Sequence, residues 1–494
     1  MQKLLTAEAI RTYESELIKK MSSDFSLTLM ERAGVGLANV VKNYSEPYLF
    51  ICGKGNNGGD GLVAARCLHG LGKKVFIILT SKDSSLSQDA RVNFEKIKTL
   101  VLYTIIETKD DEMLYKKLAE ANTIVDCLLG TGATKEPSSL FEWIIKSINN
   151  SNKRVVACDI PTGLYPDTGN VSTHTIKANC TVTFGYSKIG LLLYPGKEYV
   201  GNVKVVDIGL PDIDSNISLL DDDFVKANLP SRKNTSNKGT FGKTLLVCGS
   251  YKYPGAALLA SKAAASTGSG LTALSSPKEV FEQITKAIPE VTHVDFDTKE
   301  ILDEGQTANV MVVGPGLSCT REIEDLVIQI ITQTNIPIVL DADGINVLAG
   351  KSSILKDVKK EIILTPHPKE LARLLGKNTE DILNDKINIA MSTAKEFNCT
   401  LVLKGPGTII ATKDGKIYIS PFANSALAKG GTGDVLAGFI GGLIAQGLQS
   451  DIATCLGVYL HGKAGELVSN DKTVFSLLPQ DLITYLPQVL KIYI

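Results

Sequence analysis

Charge of one sign is what this chain most plainly lacks: 52 Lys and Arg stand against 53 Asp and Glu, and no basic run breaks the balance. Binding to a nucleic-acid backbone leaves a positive patch on a protein, so nucleic acid is not expected as a main partner. Long apolar runs are also missing. The longest, Val435 to Leu448, is rich in glycine and shorter than the roughly 18 residues a membrane span needs, so it reads as a buried helix and no membrane partner is expected. Histidine is scarce, with five in all and none in HExxH, and the nine cysteines are scattered without a CxxC pair. That argues against zinc and for thiols serving as small core residues in a reducing compartment. The opening residues carry Lys3, Glu8 and Arg11 where a signal peptide would need an apolar core, so a cytoplasmic protein is expected.

What is present is the composition of a soluble globular protein long enough for several domains, 494 residues with 44% apolar and 21% charged. Tyr48 to Cys52, Val75 to Leu79, Thr123 to Asp126 and Arg154 to Cys158 are short apolar runs, with helix-like segments Leu62 to Leu71, Gln88 to Lys98 and Leu140 to Ile148 between them. Continuous apolar strands with crossover helices predict a parallel sheet covered on both faces. Between about Gly209 and Gly239 the pattern lapses into polar residues. A second series then begins at Thr244 to Cys248 and continues with Val310 to Val313, Ile338 to Leu340, Ile362 to Leu364 and Leu401 to Leu403, followed by a hairpin over Thr408 to Ile419. The expected division is a Rossmann-like three-layer domain over 1–212, a linker over 213–239 and a second α/β domain over 240–494.

In such sheets ligands gather at the carboxyl ends of the strands. Gly53-Lys-Gly-Asn-Asn-Gly58 matches GxGxxG between a strand and a helix, but the second strand ends at Leu79-Thr80 without the acidic residue a dinucleotide fingerprint requires. The more telling stretch is Asn56-Asn57-Gly58-Gly59-Asp60-Gly61, whose backbone N–H groups suit a phosphate and whose side-chain oxygens suit a polar ring or a cation. Asp126 and Asp159 stand at two other strand ends, followed by Gly130-Thr131-Gly132 and Pro161-Thr162-Gly163. Oxygens of Asn57, Asp126 and Thr162 are suited to converge on a hard cation. The alternative is that the two aspartates cap the turns that follow them.

In the second series Lys429-Gly-Gly-Thr-Gly433-Asp434 runs straight into the buried helix. Its glycines and the helix N-terminus offer unpaired N–H groups to an anion, and the helix dipole is expected to hold Asp434 ionised beside it. The competing reading makes Thr432 or Asp434 an N-cap and the glycines a tight turn. Five further strand ends carry turns: Gly249 to Ala256, Gly314-Pro-Gly316, Asp341-Ala-Asp343-Gly344, Thr365-Pro-His367-Pro368 and Lys404-Gly405-Pro406-Gly407-Thr408. Gly239 to Thr244 only superficially looks like a P-loop, because its first glycine is misplaced and the strand follows it.

On these motifs residues 1 to about 212 resemble the NAD(P)H-hydrate epimerase domain. The resemblance implies substrate contacts at Asn56, Asn57, Gly58, Gly59, Asp60, Gly130, Thr131, Gly132, Ala133, Thr134, Lys135 and Glu136, and potassium on Asn57, Asp126 and Thr162. It sets Asp159 against the nicotinamide end as the catalytic carboxylate. Residues 240–494 resemble the ADP/ATP-dependent NAD(P)H-hydrate dehydratase domain, which has the ribokinase-like fold. There the resemblance implies that Ala256, Gly316 and His367 line the hydrate pocket and that Lys404, Gly405, Pro406, Gly407, Thr408 and Gly433 hold ADP or ATP with magnesium. Asp434 would be the catalytic group on the substrate hydroxyl, with Asp341 and Asp343 as weak candidates for metal ligands. The chain departs from the family pattern at Ser318 and Lys369, where glycine is common, and at Asn237, where histidine is. Together the halves are similar to bifunctional NAD(P)H-hydrate repair enzymes, which implies NADH and NADPH hydrates as substrates, a preference for ADP and a homo-oligomer. Two other readings use the same motifs: a ribokinase-like small-molecule kinase fused to a binding domain, and a nucleotide sensor without turnover.

Overall fold

The computed structural model describes residues 1–21, 24–133 and 135–494. They form two compact units, one of Lys3–Ser215 and the other of Met1–Gln2 with Asn216–Ile494. Among the described residues no helix is long and apolar enough to cross a membrane.

The first unit is built on β1 (Tyr48–Cys52), β2 (Val75–Leu79), β3 (Leu102–Ile105), β4 (Thr123–Cys127), β5 (Arg154–Cys158), β6 (Cys180–Phe184) and β7 (Asn202–Val206). They make a seven-stranded sheet in the order β3-β2-β1-β4-β5-β6-β7 with every pair parallel. Side chains alternate across a strand, so Tyr48, Phe50 and Cys52 of β1 face one core and Leu49 and Ile51 the other. Phe50 packs in one cluster with Leu37, Leu62 and Phe94, and Ile51 in another with Leu114 and Ile144, so both faces are covered. The helices used below are α1 (Ala7–Lys20), α2 (Phe25–Val41) and α3 (Asn56–Gly70). β1 has β2 on one side and β4 on the other, which makes the ends of β1 and β4 the switch point where such sheets bind ligands.

The second unit contains β8 (Ile217–Leu219), β9 (Lys243–Val247), β10 (Leu271–Ser275), β11 (Thr292–Val294), β12 (Val310–Val313), β13 (Ile338–Leu340), β14 (Ile362–Leu364), β15 (Thr400–Leu403), β16 (Ile409–Ala411) and β17 (Ile417–Ile419). Their order is β11-β10-β9-β12-β13-β14-β15-β16-β17-β8. Pairs are parallel except at β15-β16 and β16-β17, the expected hairpin. The stretch 213–239, expected to be a linker, instead supplies β8 and a helix over Asp222–Asn228. Leu220, Phe224 and Val225 of this stretch are buried in the unit's core, apolar positions that the polar surroundings masked.

Its central helices are α4 (Pro254–Thr267), α5 (Pro368–Leu375), α6 (Thr432–Ala445) and α7 (Ser450–Asp471). The glycines of α6 have a packing cause. A Cβ on Gly438 would lie 2.3 Å from the Ala260 carbonyl oxygen, and one on Gly442 would lie 2.6 Å from that of Ala264. α6 therefore meets α4 backbone to backbone, which draws the start of α6 in over the sheet edge. Gly438→Ala should cost about 3 kcal/mol by overpacking. Gly305→Ala, at a helix end where the added carbon meets Met311 Sδ at 3.5 Å and Thr334 Cγ2 at 3.7 Å, both ordinary van der Waals contacts, should stay within about 0.5 kcal/mol, with both variants read by urea titration.

Candidate active sites

In the first unit the strand ends open into a cleft of about 760 Å³ lined by Gly55 to Asn57, Asp60, Leu128 to Ala133, Asp159 and Lys188, with α1 and α2 along one side. The tight packing of its floor dictates glycine. A Cβ on Gly53 would lie 2.0 Å from Leu128 O, and one on Gly58 would lie 2.0 Å from Gly53 O. Asp159 follows β5 with φ of +64°, a left-handed conformation that is unfavourable for a residue with a Cβ and that aims its carboxyl back over the sheet edge. Its Oδ1 accepts from Lys188 Nζ at 2.6 Å, Thr183 Oγ1 at 3.1 Å and Phe184 N at 3.4 Å. Oδ2 has no partner among the described residues. Lys188 is buried, and its remaining protons go to Thr183 Oγ1 at 2.9 Å and Phe184 O at 3.0 Å. Burial, then the charges of Asp159 and Glu14, push Asp60 well above the usual carboxylate range.

Beside the cleft, Asp126 is fully buried and accepts from Thr162 N at 2.8 Å, Thr162 Oγ1 at 2.7 Å and Leu128 N at 3.2 Å. Burial pushes it up to about 6 despite these bonds. The amide of Asn57, also buried, has neither its oxygen nor its nitrogen satisfied. A buried carboxylate without a cationic partner and an orphaned amide oxygen are donors that fit a monovalent cation.

In the second unit α6 begins at Thr432 with Gly431 as its N-cap, at φ of +99° and with no side-chain cap. The Thr432 hydroxyl is turned back onto the chain that leads into the helix, its one proton shared between Leu427 O at 2.8 Å and Lys429 O at 2.9 Å. Lys429 is likewise turned away, donating to the carbonyls of Phe475 and Leu477, both at 2.6 Å. His461, held neutral by burial that lowers it to about 4, donates from Nε2 to Thr432 O at 2.9 Å. The cradle is thus bare backbone, braced from behind.

Facing it, Asp341 Oδ1 accepts from Thr365 Oγ1 at 2.6 Å and Lys404 Nζ at 2.7 Å. Lys404 Nζ lies 3.9 Å from Glu370 and would be 3.3 Å from a Cβ on Gly433. Burial works against its charge, but Asp341 and Glu370 hold it above its ordinary range. His367 is the N-cap of α5: its Nδ1 accepts from Lys369 N at 3.1 Å and Glu370 N at 3.2 Å, which leaves the proton on Nε2, 3.4 Å from Glu370 Oε1. Burial, pushing it up with help from Asp341 and Asp343 and against Lys404, raises Asp434 to about 7. The expectation that the helix dipole keeps Asp434 ionised is therefore corrected, since desolvation and the like charges outweigh it.

Two families match the chain: residues 244–488 match NAD(P)H-hydrate dehydratase and residues 26–190 match the YjeF-related protein N-terminus. The bifunctional NAD(P)H-hydrate repair enzyme Nnr of Moorella thermoacetica is 35% identical over 508 aligned residues, covering 96% of this chain and 95% of its own. The chain belongs to the bifunctional NAD(P)H-hydrate repair family. Its relative in Escherichia coli is 30% identical, over 93% of this chain and 89% of that one. Among solved structures, the ADP/ATP-dependent NAD(P)H-hydrate dehydratase of Bacillus subtilis, co-crystallised with ATP and Mg2+, is 34% identical with a TM-score of 0.53, covering 57% of this chain and all of its own. The fold is accordingly Rossmann-like in the first unit and ribokinase-like in the second.

Set against the sequence expectations for this family, Asn56, Asn57, Asp60, Gly130, Thr131, Gly132, Ala133 and Asp159 line one cleft. Gly58 and Gly59 serve packing, the latter against Met30. Lys135 borders a separate recess of about 10 Å³ beside Gly163, and Glu136 accepts from Thr173 N at 3.3 Å. Thr134 lies outside the described residues. Ala256 meets Gly316, where an added Cβ would be 2.8 Å from the alanine's own. Gly405 to Thr408 close on themselves through Thr408 Oγ1, which donates to Gly405 O at 2.9 Å, and Lys404 is the member that reaches Gly433. Asp343 is occupied at Oδ2 by Ser318 N at 2.7 Å. Lys188, Glu14 and Glu370 were missed by sequence reasoning. Only the capping-box pattern His367-Pro-Lys-Glu370 offered a signal.

The raised Asp434 makes a stability prediction. Its folded value of about 7 exceeds the unfolded value near 3.8, so its contribution is full below pH 3.8 and lost as pH rises through 7. Asp434→Asn should stabilise the second unit by on the order of 2 kcal/mol at pH 8 and by little at pH 4, read from urea midpoints at both pH values.

Proposed function

We propose that the two sites divide one repair task, the first interconverting the R and S hydrates of NADH and NADPH and the second dehydrating the S hydrate with ADP or ATP. The family assignment makes the chain a bifunctional epimerase and dehydratase. The observation that supports these residue roles best is Asp434, a carboxyl poised near neutrality at the lip of an uncapped helix N-terminus.

In the dehydratase site, Asp434 takes the proton of the hydrate hydroxyl while its oxygen attacks the terminal phosphorus, with the backbone of Gly430 to Gly433 receiving the phosphoryl oxygens. The bond to the nucleotide breaks as the new one forms. The phosphate then departs with the C–O electrons as the ring-nitrogen lone pair forms C=N, and loss of a proton from the adjacent ring carbon restores the reduced ring. Nε2–H of His367 is the donor for a carbonyl of the substrate, and Ala256 with Gly316 form the wall beside it. Asp341 Oδ2, 3.8 Å from a Cβ on Gly433, fits a magnesium ion arriving with the nucleotide, which would neutralise phosphate charge.

In the epimerase site, Asp159 presents its free Oδ2 to water or hydroxyl at the ring carbon beside nitrogen, and Asn56 to Asp60 with Gly130 to Ala133 receive phosphate and ribose. Potassium would be held by Asn57, Asp126 and Thr162, supplying the positive charge their buried oxygens lack. The cysteines, all free, support a cytoplasmic setting, and the family resemblance supports a homo-oligomer.

With mixed R and S hydrates and ADP or ATP, the return of reduced-nicotinamide absorbance should be complete. Accumulation of a stable phosphorylated product would instead support a kinase. Asp434→Ala should cut dehydration by about 100-fold or more and leave epimerisation intact, whereas Asp159→Ala should slow use of the R hydrate alone. Dehydration at the wild-type rate by Asp434→Ala would refute the mechanism. Because Asp434 acts as a base, kcat/KM should fall about tenfold per pH unit below 7, and Asp341→Asn should move that limb to lower pH by removing a like charge.

A further inference from the structure

The first twenty residues precede the segment matched by the epimerase-side family, 26–190, yet they help build its cleft. Leu4 and Leu5 pair in parallel with Ser187 and Lys188, so this N-terminal strand helps fix the backbone of the lysine that holds Asp159. α1 follows immediately. Ile10, Glu14 and Ile18, spaced four apart on one helical face, line the cleft together with Arg11. The helix is pinned by its Thr6 cap, by Asp167 accepting from Ala7 N at 2.5 Å, and by Arg11 donating to Thr131 O at 2.6 Å. That last bond joins α1 to the loop expected to receive the substrate.

The hydrogen bonds around Asp159 leave a gap in the chemistry. Asp159 offers a free oxygen, but the three protons of Lys188 are all spent on Asp159, Thr183 and Phe184, so the ammonium has none for a departing hydroxyl. A second proton-exchanging group is required, because one carboxylate cannot both protonate the leaving oxygen and deprotonate the entering one on opposite ring faces. Glu14 lines the same cleft, and among the described residues its carboxyl makes no ion pair or hydrogen bond. The groups facing it are Lys188, Asp159 and Asp60, with Arg11 on its own helix. Burial raises it above the ordinary range, with Lys188 opposing and Asp159 reinforcing, which favours the neutral acid.

Resting on the epimerase reading, we propose that Glu14 is a catalytic acid–base partner of Asp159, and that Lys188 is a positioning residue acting through Asp159. From the R hydrate, Glu14 gives its proton to the hydroxyl as the C–O bond breaks and the nitrogen lone pair forms C=N. Water then bonds to the opposite face and yields its proton to Asp159. One water leaves, one enters, and the proton passes from Glu14 to Asp159. The reverse reaction starts from that protonation state.

The full chain is assayed for R-to-S conversion of NADH hydrate by chromatography, with the uncatalysed rate subtracted and S-hydrate dehydration in the same sample reporting the folded state. Glu14→Gln should lower kcat by about 100-fold or more with KM within about threefold, and should abolish the fall in rate that the wild type shows as pH rises through the titration of Glu14. Formate should restore part of the rate to Glu14→Ala, which a merely structural role would not allow. Wild-type kcat with an unaltered pH profile in Glu14→Gln, or no formate rescue, overturns the assignment of Glu14. A wild-type chain that fails to epimerise overturns the epimerase reading and this proposal with it.

Discussion

Each unit places one buried ammonium against one aspartate at the carboxyl edge of its sheet, Lys188 on Asp159 at 2.6 Å and Lys404 on Asp341 at 2.7 Å, and the charge state of the surroundings follows from those pairs. In a desolvated cleft a lone carboxylate is costly, and only the one touching the ammonium is compensated. The carboxyls left outside the pair are driven upward: Asp60 and Glu14 around the first, Asp434 around the second. One carboxylate paired with an ammonium and one or more carboxyls outside the pair thus stand side by side at each strand edge. Acid–base roles are commonly divided in this way when two carboxyls share a site.

The sheets supply the edge on which these pairs stand. Because both faces of each sheet are covered by helices, polar chemistry is confined to the strand ends. The order β2-β1-β4 splays two of those ends apart, which opens room for a ligand. Close backbone approach then sets the depth of each site, through Gly53 and Gly58 in one unit and Gly438 against Ala260 in the other. Any side chain at these positions would lift a loop or helix away from the groups it must reach.

Much of this architecture was legible in the residues. Tyr48–Cys52, Val75–Leu79, Arg154–Cys158, Val310–Val313, Ile338–Leu340 and Ile362–Leu364 are strands over the spans their continuous apolar runs predict. The turns that follow them carry most of the expected site residues. Leu102–Ile105, an edge strand with little burial, and β8, set among polar neighbours, gave no such run. Glu14 looked like one charge among many on an amphipathic helix, and Lys188 sits in a two-residue strand with no pattern to mark it. For Asp434 the helix dipole points to an ionised carboxylate, and its surroundings override that. The dipole of its own helix is local and readable, whereas the burial and the Asp341 carboxylate that outweigh it come from elements far away in sequence.

The orientation of Lys429 has a consequence for what the glycine loop can hold. Its ammonium is committed to the carbonyls of Phe475 and Leu477, and the other nearby cation, Lys404, is already matched by Asp341. The cradle therefore offers an anion neutral backbone dipoles, beside Asp343, Asp434 and an Asp341 whose charge Lys404 already offsets. A bare polyphosphate is a poor guest in such a site, and one that brings its own counter-ion is a good one. On the proposed dehydratase reading, a loop that contributes no free positive side chain of its own selects the nucleotide together with its metal and lets the anion go once that complex is broken.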